Sequence, residues 1–470
     1  MNKPLGRIGS LSLLFISNAA IIAQQQKNNV VFIVVDDLGW KDLGVYGSDF
    51  HKTPRIDSLA NDGVRFTDAY SACTVSSPTR ASLMTGKYPA KLHLTDWIEG
   101  HKMPNAKLQI PDWTMYLPLE ETTLAEVFKK NGYSTAHIGK WHLGEDEIYW
   151  PENHGFDINI GGWRKGQPNL NLKSGANGYF APYGNPRLKD GPDGEYLTER
   201  LAREACNYIQ QSKSKPFFLN LWFYNVHTPL QAKQDKIDKY KALVDSTKQQ
   251  KNPTYAAAVE HVDEAVGKVI AQLKELGLYD NTIIILTSDN GGLIGNKKNQ
   301  VANNTPLRLG KGERYEGGVR VPLIVKPTQF VAPDKINHTP VMSIDFMPTL
   351  IDMAQLDVDK NVRKGIDGVS IKPILVSGNG KLNRKSLYWH YPHYHTEGAT
   401  PYSAIRQDDW KLIHTIETNT YELYNLKTDI SETKNLIDSV PSIAAKLKKE
   451  LELWKKKMRA QMPTVKAAKK

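Results

Sequence analysis

The chain has 470 residues, 40% of them apolar, and 61 Lys and Arg against 50 Asp and Glu give a formal charge of +11. Disordered, collagen-like and membrane-bundle compositions are excluded, and the length suits one large α/β domain with an appendage, or two to three smaller units. Two cysteines, Cys73 and Cys206, cannot supply a disulfide framework and lack zinc or redox spacing, so the fold must rest on packing.

The first residues combine a positive start (Lys3, Arg7), an apolar run from Leu11 to Ile22, and Ala23-Gln24 before a Gln-rich stretch. This pattern predicts a signal peptide over residues 1–24 and a periplasmic or secreted protein; the run is too short for stable membrane insertion. Val30–Val35 is a near-continuous β-branched run, and Phe217–Phe223 and Thr282–Thr287 resemble it. All three read as buried parallel strands. Helical periodicity falls between them at Pro54–Asp62, Thr123–Asn131, Tyr196–Gln211 and Tyr255–Leu276. Alternating strands and helices predict an α/β doubly wound sheet with helices on both faces, in which ligands gather at the carboxyl ends of strands. Gly, Pro and Asn crowd Glu145–Gly194, which predicts long loops carrying substrate contacts.

A Ser/Gly/Asn/Lys-rich break at Ser377–Lys385 separates a catalytic domain, 25–376, from a smaller α+β unit, 377–470. Short strands are expected there at Ser386–His390, Ser403–Arg406 and Trp410–His414, then a turn-rich Tyr421–Asn435 and a Lys-rich helix from Val440 to about Met458. The positive balance, heavy in Lys446–Lys470, fits acidic glycan, anionic lipid or nucleic acid. No nucleic-acid motif supports the last, and none is expected to bind.

Asp36-Asp37 closes the first strand and Asp289-Asn290 a later one. An acidic pair after a strand is commonly a turn, but two such ends could set four hard oxygen ligands around Ca²⁺ or Mg²⁺. The most informative segment is Ser71–Gly86, in which Ser76 is followed two residues on by Pro78 and four on by Arg80. Pro78 suits the first turn of a helix, so Ser76 would stand at its amino end with Arg80 one turn along. Cys73 fails the same spacing, because Val75 and Ser77 stand where Pro and Arg should be. It is read as a small packed residue.

Ser76-x-Pro78-x-Arg80 resembles the signature of the formylglycine-dependent sulfatases, whose fold is alkaline-phosphatase-like: a mixed, mostly parallel sheet between helices. Further blocks match that family in order: Gly139-Lys140-Trp141-His142-Leu143-Gly144, Asn225-Val226-His227-Thr228-Pro229, and Gly310–Pro322 with its Gly-Lys-Gly, Glu-Gly-Gly and Arg-x-Pro elements. The resemblance implies that Ser76 is oxidised to formylglycine by a Ser-type maturation enzyme, and that its hydrate attacks sulfur to give a sulfo-enzyme intermediate. It implies Ca²⁺, with Mg²⁺ as the alternative, held by Asp36, Asp37, Asp289, Asn290 and modified Ser76. Arg80 and Lys140 would neutralise the ester charge, His142 would position or deprotonate the nucleophile, and His227 or Lys311 would protonate the leaving oxygen.

Aromatics and imidazoles in Tyr388–His395 suggest a glycan subsite, with His390, His393, Trp163 and Arg164 as substrate contacts and Trp97 and His101 as further candidates. The tail and Glu195–Thr198 look more like exo-acting enzymes on galactose or N-acetylgalactosamine sulfates, at O4, than steroid-type arylsulfatases. Two other readings stay open. One is a phosphoester or phosphonate hydrolase on the same fold, which would call for a second metal. The other is a silent sulfated-glycan binder in which Ser76 stays unmodified.

Overall fold

All seven residues of strand β1 (Asn29–Val35) are buried, as a β-branched run requires when helices cover both sheet faces. The computed structural model describes residues 27–296, 299–328, 335–377 and 380–466, so the expected signal peptide lies outside the described residues. In chain order β1 is followed by α1 (Pro54–Asn61), β2 (Val64–Phe66), α2 (Ser76–Thr85), α3 (Leu124–Lys130), β3 (Ser134–Gly139) and β4 (Ile158–Ile160). Then come α4 (Leu197–Ser212), β5 (Phe217–Phe223), α5 (Pro253–Glu275), β6 (Thr282–Ser288), β7 (Leu323–Lys326), β8 (Ile336–Asn337) and α6 (Phe346–Met353).

These strands make one sheet in the order β8-β2-β7-β6-β1-β5-β3-β4. The run from β6 to β4 is parallel, whereas β7 is antiparallel to both β6 and β2. The sheet is therefore mixed and mostly parallel. Alternation along β1 divides the core: Val31, Ile33 and Val35 pack with Leu201 and Ala205 of α4 and Val259 and Val262 of α5. Val30, Phe32 and Val34 pack with Leu83 and Met84 of α2, Phe128 of α3 and Leu350 of α6.

A second, four-stranded antiparallel sheet follows: β9 (Ser386–Tyr391), β10 (Tyr402–Gln407), β11 (Trp410–Thr415) and β12 (Thr420–Asn425), covered by α7 (Pro441–Met458). Its core is continuous with Tyr70, Ala72, Cys73 and Val75, the segment leading into α2. Cys73 is buried there, and burial pushes its thiol up to about 12, which suits a packed, unreactive residue. A buried ion cluster also joins the two sheets, Lys411 Nζ lying 2.9 Å from both Glu316 and Glu432. Among the described residues no helix is long and apolar enough to cross a membrane.

Candidate active site

The register of the parallel pair β1 and β6 sets Val35 beside Ser288, so the residues that follow each strand emerge together. Asp36, Asp37 and Asp289 consequently bring carboxylate oxygens within 4.8 Å of one another, all buried. Asp37 turns the chain with φ of 60°, and the Asn290 amide donates to its Oδ1 at 2.7 Å. Helix α2 points its amino end at this cluster: Ser76 is its first residue, with Oγ 3.3 Å from Asp36 Oδ1 and 3.4 Å from Asn290 Oδ1.

Buried cations close the site. Lys140, just past the end of β3, reaches Asp36 Oδ2 at 2.7 Å and Ser76 Oγ at 3.0 Å. Arg80, one turn along α2, binds Asp289 Oδ2 through Nε at 2.9 Å and through a terminal nitrogen at 2.8 Å. Lys311 Nζ lies 2.8 Å from Asp37 Oδ1, and His227 Nε2 is 3.8 Å from Asp37 Oδ2. His142, held at φ 60°, places Nε2 2.5 Å from the Ile98 carbonyl. A carbonyl only accepts, so Nε2 carries the hydrogen and Nδ1 keeps a lone pair.

Burial drives the Asp36–Lys140 pair toward neutrality, raising the Asp36 carboxyl well above its usual range and lowering Lys140 to about 8. Burial works in the same direction on Asp37 and Asp289, but Lys311 and His227 around the first, and Arg80, Lys140 and Lys311 around the second, outweigh it and hold both low. His227 is lowered to about 3 by burial and by Lys311, and His142 well below its ordinary value by burial and Lys140.

The donor set fits a divalent cation. Three buried carboxylates and the Asn290 amide oxygen converge beside Ser76, all hard oxygen donors of the kind Ca²⁺ and Mg²⁺ take. The other grouping of this kind among the described residues, Glu199, His261 and Glu264, is already engaged by lysines: Lys233 on Glu199 at 2.7 Å and Lys236 on Glu264 at 2.6 Å. The His261 Nε2 there accepts from the Lys233 N–H, so the opposite nitrogen carries the ring proton and is no ligand.

Ser76, His142, His227 and Lys311 line the floor of a cavity of about 430 Å³. Residues of this chain match the family described as Sulfatase over 28–356, and a second, described as N-sulphoglucosamine sulphohydrolase, C-terminal, over 310–457. The chain belongs to the sulfatase family. It is a sulfuric ester hydrolase, and it is 32% identical to a sulfatase of Formosa agariphila over 91% of this chain and 89% of that one. The N-acetylgalactosamine-6-sulfatase of Mus musculus is 30% identical, covering 90% of this chain and 79% of its own. The crystal structure of Ps i-CgsB in complex with k-i-k-neocarrahexaose is 32% identical, with TM-score 0.75 over 91% of this chain and 93% of that one. A phosphonate monoester hydrolase of Agrobacterium radiobacter, 19% identical with TM-score 0.65 over 93% of this chain and 97% of that one, shares the fold alone.

The walls of the sulfatase cavity come mainly from the loops at 97–101, 164–167 and 395–396, and they correct several expectations. His390 is buried in β9, with Nδ1 2.8 Å from Ser403 Oγ and Nε2 2.7 Å from the Gln461 carbonyl. His393 is buried against Trp113, with Nε2 2.8 Å from Thr95 Oγ1. Neither ring faces the cavity; strand alternation and loop packing spend them inside. The third imidazole of the same segment, His395, does line it, with Thr396. A Cβ on Gly312 would lie 2.2 Å from the His395 ring, so the glycine after Lys311 is what admits that imidazole. Trp163 is also buried and off the wall, whereas Arg164 lines it, as do Trp97 and His101. Glu195–Thr198 opens α4 and lies off the wall: Tyr196 and Leu197 are core residues, and Glu195 pairs with Arg200 and Arg203.

Proposed function

We propose that this sulfatase is an exported enzyme that removes sulfate from sulfated carbohydrates, with formylglycine formed from Ser76 and with Ca²⁺ held by Asp36, Asp37, Asp289 and Asn290. The observation that carries this reading is the position of Ser76: its hydroxyl opens a helix, faces the cavity, and has Lys140, Asp36 and Asn290 within 3.4 Å. The carbohydrate class is supported by relatives named for N-acetylgalactosamine and by a neighbour crystallised with a neocarrahexaose. The proposed division is a catalytic domain, 25–376, and a smaller unit, 377–470, whose His395 completes the cavity wall.

When bound, the aldehyde hydrate supplies the nucleophile and the cation supplies positive charge beside it. The chain's own residues do the rest. Arg80 and Lys140 offset the negative charge of the ester and of the transition state, and they act strongly because both side chains are buried away from bulk solvent. His142 Nδ1, left with a lone pair by the Nε2 bond to Ile98, accepts a proton. His227 donates its Nδ1 hydrogen to the Thr228 carbonyl at 2.6 Å, so its Nε2 is deprotonated at rest, while Lys311 holds a proton on the cavity side. Arg164, Trp97, His101 and His395 contact the sugar.

The test is expression with a Ser-type maturation enzyme, followed by mass analysis of the Ser76 peptide and a screen of defined sulfated mono- and disaccharides. Conversion removes two hydrogens, and turnover should follow the converted fraction. A Ser76→Ala variant with undiminished turnover would sink the mechanism. The screen also sets galactose and N-acetylgalactosamine O4-sulfates, the expected exo-acting substrates, against the O6-sulfates for which the curated mammalian relatives are named.

A further inference from the structure

The cavity extends well beyond the sulfate-binding floor, and its cations are unevenly committed. Lys311 is paired with Asp37, and Arg164, at the mouth, is paired with Glu145 at 3.0 Å. Lys165, half-buried on the same wall, has no carboxylate partner among the described residues; its ammonium donates only to the amide oxygen of Asn169, at 2.6 Å. Both side chains reach over the Trp163 indole, Arg164 at 5.9 Å and Lys165 at 5.7 Å from the ring centroid. Two like charges are thereby held near each other against a single carboxylate, Glu145, which is bound to Arg164, so Lys165 is left with the weaker share of that charge. Burial and the neighbouring Arg164 lower the Lys165 ammonium, and Glu145 offsets only part of that.

The segment is also fixed relative to the chemistry. The His142 N–H donates to the Trp163 carbonyl at 3.2 Å, and a Cβ on Gly166 would come within 2.3 to 2.7 Å of the His142 ring. Only glycine lets the backbone lie flat on that imidazole, so Lys165 is carried on a short, close-packed link to a residue of the cavity floor. On another part of the wall, Trp97, His101 and His395 pack ring to edge, at 4.9 and 4.6 Å, and offer apolar surface to a sugar ring.

We propose that Lys165, with Arg164 beside it, binds a second anionic group of the substrate, so that the preferred substrate bears a sulfate or carboxylate besides the ester that is cleaved. This rests on the sulfated-carbohydrate reading above. The exposed Glu99 also lines the cavity, where it repels an anion that is not seated on Lys165. That carboxylate makes the position of the second anion selective as well as favourable.

Three matched disaccharides test the inference: one with a single sulfate, one with a second sulfate, and one with a single sulfate and a uronic acid. Their dissociation constants are measured by calorimetry on protein with Ser76 unconverted, and their kcat/KM on matured enzyme. A charge-assisted contact of this kind corresponds to about a ten- to hundredfold preference for one or both dianionic sugars. Lys165→Gln should erase that preference and Lys165→Arg should retain most of it, with a preference that shrinks as salt is raised. The arm that keeps the preference identifies the second group. If the monosulfated sugar binds and is cleaved but neither dianionic sugar gains, or the gain survives Lys165→Gln, this inference is overturned while the function stands. If none of the three binds or is cleaved, the carbohydrate reading fails and takes this inference with it.

Discussion

The Lys140 ammonium lies 3.0 Å from the Ser76 hydroxyl, and both groups are withdrawn from solvent. Its place is set by Asp36, 2.7 Å away on the other side, so an ammonium is held beside the proposed nucleophile before any substrate arrives. Lys140→Met should lower kcat by about 10²- to 10³-fold with a much smaller change in KM. It should also destabilise, because Asp36 is left in the core with Arg80 only at 3.8 Å; breaking a buried pair costs about 3–5 kcal/mol, or about 3–5 °C in Tm for a chain of this size. Adding Asp36→Asn should restore Tm but not turnover. A loss in kcat below tenfold would show that Lys140 serves packing alone.

Lys311 and His227 flank the same carboxylate, Asp37, yet differ in the proton they hold. Asp37 and Asp36 raise Lys311 despite burial, whereas burial and Lys311 itself lower His227 to about 3. Lys311 is therefore the resting proton holder. Lys311→Ala should cost about 10²- to 10⁴-fold on a sugar sulfate, and far less on an activated aryl sulfate whose leaving group needs no proton. His227→Ala should cost the two substrates more evenly. Kinetics of both variants on both esters decide it; the reverse pattern would assign the acid role to His227.

Three carboxylates gathered within 4.8 Å at the ends of β1 and β6 exist as a set in the folded chain and not in the unfolded one, so the cation proposed there should stabilise the fold. Chelation should abolish turnover. Restoring Ca²⁺ at about a hundred times its dissociation constant should stabilise by about 2.7 kcal/mol, or about 3 °C in Tm. Asp289→Asn should remove most of that shift, read by differential scanning calorimetry. A shift unchanged by Asp289→Asn would put the cation elsewhere.

His390 and His395 stand five residues apart, and only the second lines the cavity. His390 is held by Ser403 and the Gln461 carbonyl, so His390→Ala should cost about 1–3 kcal/mol in stability through those unpaired groups, with KM unmoved. His395→Ala should raise KM for a sulfated disaccharide severalfold, because its ring lines the cavity, while also losing some stability through the Glu397 N–H it accepts from. Melting curves and steady-state kinetics on the two variants separate them.

What the sequence disclosed, and what it withheld, follows the same division. The strands β1, β5 and β6 and helices α1, α3, α4 and α5 were legible because a fully buried strand and a one-sided helix leave distinct hydrophobic periods. Strand β3 was not, since Ser134, Thr135 and His137 break its apolar run and are accommodated by particular bonds such as Thr135 to the Gly155 carbonyl. Strands β2 and β7, three and four residues long, are too short to show a period. The region from Tyr421, read as turns, begins as β12, whose sheet-edge position lets it remain largely polar. The acidic ends of β1 and β6 and Ser76 at the start of α2 were legible because strand ends and helix starts leave local patterns, whereas Lys140, His227 and Lys311 were marked by the order of their motif blocks, Lys311 lying in the long loop between β6 and β7. The cavity walls depend instead on how loops pack: Tyr388–His395 and the loops of Glu145–Gly194 were marked as substrate-facing segments, but which of their residues reach the cavity, His395 and Lys165 among them, rests on Gly312 and Gly166 and on loop packing.

Asp96 makes stability depend on pH just behind one of these walls. Its carboxyl is buried, accepts from the Tyr391 hydroxyl at 2.8 Å and the Trp97 N–H at 2.9 Å, and has the His393 Nδ1 at 3.9 Å. Burial lifts it to about 8, while His393 is lowered to about 3 by burial and contributes no balancing charge at neutral pH. The folded value lies above that of the unfolded chain, so between the two the folded state holds a proton that the unfolded state has released. Stability from this group is complete below about pH 4 and is lost progressively until the pH passes the folded value near 8. The loss is of the order of 5 kcal/mol. Asp96→Asn keeps an acceptor for Tyr391 and removes the titration, so the difference in unfolding free energy between wild type and variant should move steadily in the variant's favour from pH 4 to 8. Because Asp96 precedes Trp97, KM of the wild type for a sulfated sugar should rise over the upper part of that range more than KM of the variant does. Parallel stability curves for the two proteins would mean that the carboxyl ionises in the fold as readily as in water.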